Sequence, residues 1–357
     1  MGKNNSPRAA AGTAAAGTAA SDVVRRVETL VAQGGADRAD RYIAETLRIL
    51  SRSQIKARGA TIEVDGKAAK LSRPLRADER LVVTWTEEPS PGLEAENITL
   101  DVIYENDRVL VINKAQGMVT HPGAGNRRGT LANAVLGRLS ARPFDHRGTF
   151  DDTVPVPRGG IVHRLDKDTS GVIIAAKDSE AQAFLAAQFK ARAAHKDYLA
   201  ITRGVPRGGA GGEIGDWNRI ESRIGRDKRN RKRFTEVDEG GRLSVTDWRV
   251  MAVFGNFALV HLKPRTGRTH QLRVHLAGLG CPIVGDPLYG DGPKGPPPGM
   301  TLMLHAWKLA IRLPGSDEIS RFVAPLPERF SKLLRLLERR NGKRIFPSAG
   351  ARGRSGR

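Results

Sequence analysis

The sequence predicts an α+β protein built from two folded parts. Three observations carry this reading. Apolar runs of strand length outnumber the amphipathic helical stretches and do not alternate with them regularly, which argues against a doubly wound parallel sheet. The run Pro89-Ser90-Pro91-Gly92 separates a short N-terminal unit from a longer one. The 357 residues, at roughly 150 per domain, suit two domains with tails.

Residues 1–33 are rich in Ala, Gly and Thr and read as a disordered tail, with a short helix near Val24 to Val31. Residues 34–90 read as a compact unit. Ile43, Leu47 and Leu50 recur at i, i+4 and i+7, the spacing of an amphipathic helix. Arg48, Arg52 and Lys56 recur every four residues on another face, provided the register continues; Ser51-Arg52-Ser53 could instead break it and cap a second short helix. Ile62-Glu63-Val64 alternates into Asp65-Gly66, a hairpin-turn signal, and Leu81-Val82-Val83 reads as a last strand. Two helices, a hairpin and a basic face suit an RNA-binding module, although a stripe of charge is equally a solvated face.

Residues 97–330 form the larger domain. Its strands fall on Val109–Ile112, Ile161-Val162, Val172–Ile174 and Phe257–Leu262. Ser179 with Gln182 makes a capping-box pattern ahead of Phe184, Leu185 and Phe189, so a helix starts there. Residues 219–233 hold eight basic and two acidic residues and read as a loop that tracks phosphates. Residues 331–357 form a basic C-terminal tail in which Leu333, Leu334, Leu336 and Leu337 mark a short helix.

Composition excludes several classes. No apolar run approaches the length of a membrane-spanning helix. The N-terminus lacks the continuous apolar core of a secretory signal. A single cysteine, Cys281, rules out an internal disulfide framework and a cysteine-based zinc site, and points to reducing cytoplasm. The formal net charge of +21 favours an anionic partner, with nucleic acid the first expectation. Residues 219–233 carry +6 of that charge and residues 331–357 carry +8, leaving the rest of the chain nearly balanced.

The stretch from Gly159 to Lys177 is the most informative, because two apolar strands flank the polar turn His163-Arg164-Leu165-Asp166-Lys167-Asp168-Thr169-Ser170-Gly171. Asp166 and Asp168 imitate the start of a calcium loop, but the twelfth position, which needs a bidentate Glu, is Lys177. A glycosidase pair of the same two carboxylates, and a plain hairpin whose polar groups only satisfy the backbone, both remain open on the residues alone.

This turn resembles the signature of the RluA/RluD-type pseudouridine synthases, and further blocks agree in the same order. They are Val111–Gly123, Lys196–Ala200, Thr266–Leu276 followed by Gly285–Gly290, and Leu304–Ala306. Residues 34–90 resemble the S4 RNA-binding domain, with Arg58-Gly59-Ala60 departing from its usual apolar step before Gly-x-Val. The resemblance implies a pseudouridine synthase fold with a central mixed, mainly antiparallel sheet, preceded by a small S4-like α/β domain. It implies breakage of the N-glycosidic bond of a uridine and closure of a carbon–carbon bond to the same sugar carbon.

Such an isomerisation is redox-neutral and needs no donor. The chain accordingly carries no Walker A pattern and no dinucleotide-binding glycine fingerprint, and no cofactor is expected. By resemblance Asp166 is the catalytic aspartate, acting as nucleophile or base. Tyr198 is the active-site tyrosine, and Arg164 fills the space left by the flipped nucleotide. Arg273 is the first choice to pair with Asp166. It points off the helical stripe of Leu272, His275, Leu276 and Leu279. Arg268 is the reserve, or a phosphate ligand. The expected RNA-contacting set is Arg268, His163, Arg48, Arg52, Lys56, Arg229, Arg231 and Arg233. His270 and His275 lie five apart with no carboxylate cluster and are read as structural or RNA-contacting, so no metal is expected. The run His121 to Asn126 leans toward the RluD branch, whose substrate is the helix 69 region of 23S ribosomal RNA. The expected partner is therefore 23S rRNA or a large-subunit precursor, bound by a monomer. Another 23S site, tRNA, or a non-catalytic role in ribosome assembly are the alternatives.

Overall fold

The computed structural model describes residues 23–31, 38–47, 49–87, 93–123, 125–140, 157–208, 214–290 and 300–341. Contacts divide the chain into two units, Met1–Gly92 and Leu93–Arg357.

The first unit begins with β1 (Val23–Leu30), where a tail with a short helix was expected. The segment is rich in β-branched residues, and it pairs antiparallel along its whole length with β4 (Arg80–Glu87). Between them lie α1 (Ala39–Arg41), a π-helical turn at Tyr42–Thr46, α2 (Arg52–Ala57), β2 (Thr61–Val64) and β3 (Lys67–Ala69). The sheet order is β1-β4-β2-β3. One continuous helix from Ile43 does not form, because Ser51 caps α2. Its Oγ accepts from the Gln54 amide, while Gln54 Oε1 accepts from the Ser51 amide at 2.8 Å. The hairpin turn is as expected, with Asp65 and Gly66 both at positive φ. Ile43, Leu50, Ile55, Ile62, Leu81 and Val83 form the core of this unit.

The second unit is one ten-stranded sheet with helices on both faces. In chain order it runs β5 (Val102–Glu105), β6 (Val109–Lys114), α3 (Leu131–Ser140), β7 (Ser170–Ala176), α4 (Ser179–Ala191), β8 (His195–Arg203) and β9 (Asn218–Arg226). Then follow β10 (Phe234–Glu236), β11 (Arg242–Phe254), β12 (Phe257–Pro264), α5 (Gln271–Gly278), β13 (Leu304–Arg312), β14 (Ile319–Val323) and α6 (Glu328–Asn341). The strand order is β10-β9-β11-β12-β8-β13-β7-β6-β5, with β14 also pairing with β13. Only β7 and β13 run parallel, so the sheet is mixed and mainly antiparallel.

The continuous apolar runs of β6 and β7 follow from burial on both faces. Leu110, Ile112, Ile173 and Ala175 pack with α3, α5 and α6. Val109, Val111, Val172 and Ile174 pack with α4 and β14. Four local expectations change. Ile161-Val162 is no strand, since only Ile161 bridges, to Ala175. The N-cap of α4 is Asp178, whose side chain accepts from the Ala181 amide at 2.7 Å, one residue before the expected Ser179. Residues 219–233 are not an open loop. Their first half is β9, paired along β11, and their second half is an ordered turn in which Asp227 Oδ1 accepts from the amides of Arg229 and Asn230.

The fourth change is at the C-terminus, where residues 331–341 are no tail but part of α6. Phe330, Leu333, Leu334 and Leu337 are buried in the main core. The Gly/Arg run beyond lies outside the described residues. Leu334→Ala is expected to cost about 3 kcal/mol, the usual range for emptying a buried leucine site. Urea denaturation checks this; a solvated tail would show no change in midpoint.

Candidate active site

The expected catalytic turn is held from behind by the block at Lys114–Thr120. Lys114 is 1% exposed and its ammonium donates to three carbonyls, those of Ala115 at 2.9 Å, Met118 at 2.8 Å and Lys167 at 3.1 Å. Burial lowers its pKa to about 8, against the raising effect of Asp168 and Asp166. Gln116 donates to the carbonyls of Asp168 and Leu302. Thr120 Oγ1 donates to the Leu165 carbonyl at 2.7 Å. The turn ends at Gly171, which has φ +117°, and an added Cβ would stand 2.1 Å from the Ala306 carbonyl oxygen. Only glycine allows β13 so close behind the loop.

These braces point Asp166 into a cavity of about 730 Å³. Its lining includes Tyr198 from β8 and Arg273 from α5, so the fold gathers the three residues expected to act together. Arg273 is 4% exposed, not directed off the core stripe as the helical pattern implied. A buried guanidinium needs anions, and it has two. Asp286 takes Nε and Nη2, each at 2.7 Å, and Asp166 Oδ2 lies 3.8 Å from Nη1. Burial opposes its charge, but the two carboxylates outweigh burial and its pKa is raised. Asp286 is fully enclosed and also accepts from the amides of Leu288 and Tyr289, so its own position is set by the turn that carries it. Burial and Asp166 together raise the pKa of Tyr198, which keeps its hydroxyl protonated.

The remaining lining is basic. Arg164 is exposed on the turn itself, and Lys190, Arg192, Lys196, Lys263, Arg265 and Arg268 also line the cavity, Lys263 beside Asp197 and Arg265 paired with Asp247. Arg268 donates from Nε to the Leu243 carbonyl, and burial together with Arg242 and Arg192 lowers its pKa, so it sits among cations and suits an anionic ligand. Gln271 shapes this loop, its oxygen accepting from Thr266 Oγ1 and the Arg268 amide. His163 also lines the cavity, but as a brace. Its Nε2 accepts from the Ile174 amide at 3.1 Å, its ring stacks on Phe189 at 4.3 Å, and burial lowers its pKa to about 3. It therefore offers no charge to a phosphate. His275 bonds Thr246 and Ser222 and is fully buried, while His270 bonds the Tyr289 hydroxyl. Among the described residues no group of three or more His, Cys, Asp or Glu is placed to hold a metal ion.

The other expected contacts of the second unit, Arg229, Arg231 and Arg233, do not line the cavity. Arg229 and Arg231 are exposed on the β9–β10 turn. Arg233 is half-buried with its guanidinium 5.1 Å from the Tyr289 ring centroid. On the N-terminal unit, Arg52 pairs with Asp40 at 3.4 Å, Lys56 is exposed, and Arg48 lies outside the described residues.

Comparison with known proteins shows the family. The family described as RNA pseudouridylate synthase matches residues 108–278. The ribosomal large subunit pseudouridine synthase D of Borreliella burgdorferi is 40% identical over 301 residues, spanning 82% of this chain and 87% of that protein. The chain belongs to the RNA pseudouridine synthases. The like-named protein of Pseudomonas aeruginosa is 35% identical over 330 residues, spanning 89% of this chain and 97% of its own. The solved structure of human RNA pseudouridylate synthase domain containing 4 superposes with a TM-score of 0.50 at 27% identity, over 67% of this chain and 93% of that one.

As a pseudouridine synthase the protein is an isomerase. Sequence reasoning named the turn, the tyrosine and the arginine. It missed the residues that aim them, Lys114, Gln116, Thr120 and Asp286. All four lie in the quoted blocks, but only their buried contacts reveal what they hold.

Two outcomes follow. Asp286→Ala leaves Arg273 buried with one distant partner, and should cost about 3–5 kcal/mol in urea denaturation. His163, His275 and His305 are held neutral, at about 3, 4 and 4 against an ordinary 6.5. The unfolded chain therefore binds protons that the folded chain refuses, so stability falls as pH drops from about 6.5 toward 4. A urea midpoint that stays flat across that window would contradict this.

Proposed function

We propose that the protein isomerises uridines of large-subunit ribosomal RNA, in the cytoplasm and as a monomer, with Asp166 as its catalytic group. The observation that carries the reading is the trio of Asp166, Arg273 and Tyr198 lining one basic cavity. Basic side chains in its lining suit the phosphates on either side of a flipped nucleotide. Arg164, on the turn two residues before Asp166, fills the gap that the uridine leaves in its stem. The Asp166 carboxylate acts at the sugar, as nucleophile or as base. The Arg273 guanidinium, locked by Asp286, keeps a positive charge beside it through both bond-breaking and bond-making. Tyr198 remains protonated beneath the base and stacks on it. The ribosomal substrate follows the names of the relatives, and the helix 69 region of 23S rRNA follows the His121–Asn126 run. The N-terminal unit serves as an S4-like RNA-binding module, presenting Arg52 and Lys56 from exposed positions.

Asp166→Asn should still bind RNA while pseudouridine formation falls about a thousandfold or more. Mapping pseudouridine across total RNA, with the wild type and with this variant, checks both the chemistry and the site. Loss confined to tRNA would overturn the ribosomal assignment, and full activity of the variant would overturn the mechanism. Neutralising Arg229 and Arg231 should lower the slope of log affinity against log salt by up to about 1.5, if each meets one phosphate.

A further inference from the structure

A second surface beside the cavity combines aromatic rings with cations. Trp217, just before β9, is 42% exposed. The Arg249 guanidinium stands 4.8 Å from its ring centroid and the Lys263 ammonium 4.5 Å. His261 packs against the same ring at 5.0 Å, and Trp307 continues the row at 5.8 Å from His261. Arg249 and His261 are opposite one another on β11 and β12, while their neighbours Trp248 and Leu262 enter the main core. Strand alternation therefore places Arg249 and His261 on the other face of the sheet.

Two features make this surface incomplete. Arg249 Nε and His261 Nδ1 are buried without a hydrogen-bond partner among the described residues. A tryptophan ring with two adjoining cations also stays exposed, although its burial would be favourable. Lys263 joins the surface to the catalytic cavity, because it lines the cavity and touches the Trp217 ring. An unpaired nucleotide suits this surface: its base has a π-face for the exposed ring, and its phosphate suits Arg249 and Lys263, although Asp197 Oδ1 stands 3.7 Å from the Lys263 ammonium.

We propose that Trp217 is a stacking platform for an unpaired nucleotide of the substrate RNA, next to the flipped uridine, with Arg249 and Lys263 taking its phosphate. The proposal rests on the RNA-modifying reading above and adds to it a preference for substrates with a single-stranded segment beside the target.

The test measures affinity in the Asp166→Asn background for two RNA stem-loops, one with an unpaired segment beside the target uridine and one fully paired there. Trp217→Ala should weaken binding of the first about tenfold and leave the second unchanged, while Trp217→Phe restores most of the loss. The first RNA should also quench tryptophan fluorescence, and the quench should shrink in Trp217→Phe. Equal affinities for wild-type and Ala chains on both RNAs would overturn the platform. Equal weakening on both RNAs would overturn its selectivity for an unpaired base. Conversion of the same RNA by the wild-type chain is scored in parallel, so failure of the isomerase reading is distinguished from failure of the platform.

Discussion

The architecture of the active site depends on burying one positive charge. Arg273 has lost nearly all contact with water, and a bare guanidinium there would be prohibitively costly. Asp286 offsets that cost with two short bonds in the fork geometry that a carboxylate and a guanidinium share. The pair fastens α5 to the turn at residues 285–289, and that turn in turn orients Asp286 through two backbone amides. What remains of the guanidinium is one nitrogen facing Asp166. The fold thus presents a positive charge to the Asp166 carboxylate from a buried, doubly bonded support.

A second buried cation does the complementary work. Lys114 spends all three of its donors on carbonyls, one of them, that of Lys167, in the turn that carries Asp166. With Gln116 and Thr120 it fixes the backbone on which Asp166 rides, while Gly171 permits β13 to approach from behind. Neither Lys114 nor Gln116 faces the cavity. Their effect on chemistry is positional, which is how a loop can hold a reacting group within a fraction of an ångström.

Charge tells a related story. Most of the excess sits in the β9–β10 segment and the C-terminal run, and the catalytic blocks look balanced along the chain. In space they are not. Arg164, Lys190, Arg192 and Arg268 come from three separate stretches and line one cavity, while an acid such as Asp178 pairs elsewhere, with Arg108. Net charge per segment therefore understated the field at the site.

The sequence by itself determined the chemistry and much of the framework. The turn around Asp166, the two-face burial of β6 and β7, the Asp65-Gly66 hairpin and the helix holding Arg273 are local patterns, written in neighbouring residues. Tertiary structure decided the rest, because the rest consists of contacts between distant residues. The segment from Val23 becomes a strand only because β4 offers it a partner. Leu333, Leu334 and Leu337 of α6 are core because the sheet leaves them a surface to cover. Asp286 and Lys114 acquire their roles only when the fold brings the Arg273 guanidinium and the Lys167 carbonyl within their reach. Periodicity assigned Arg273 to the outside of its helix. The fold put it inside, where a charge can be held still only by opposite charges that come from elsewhere in the chain.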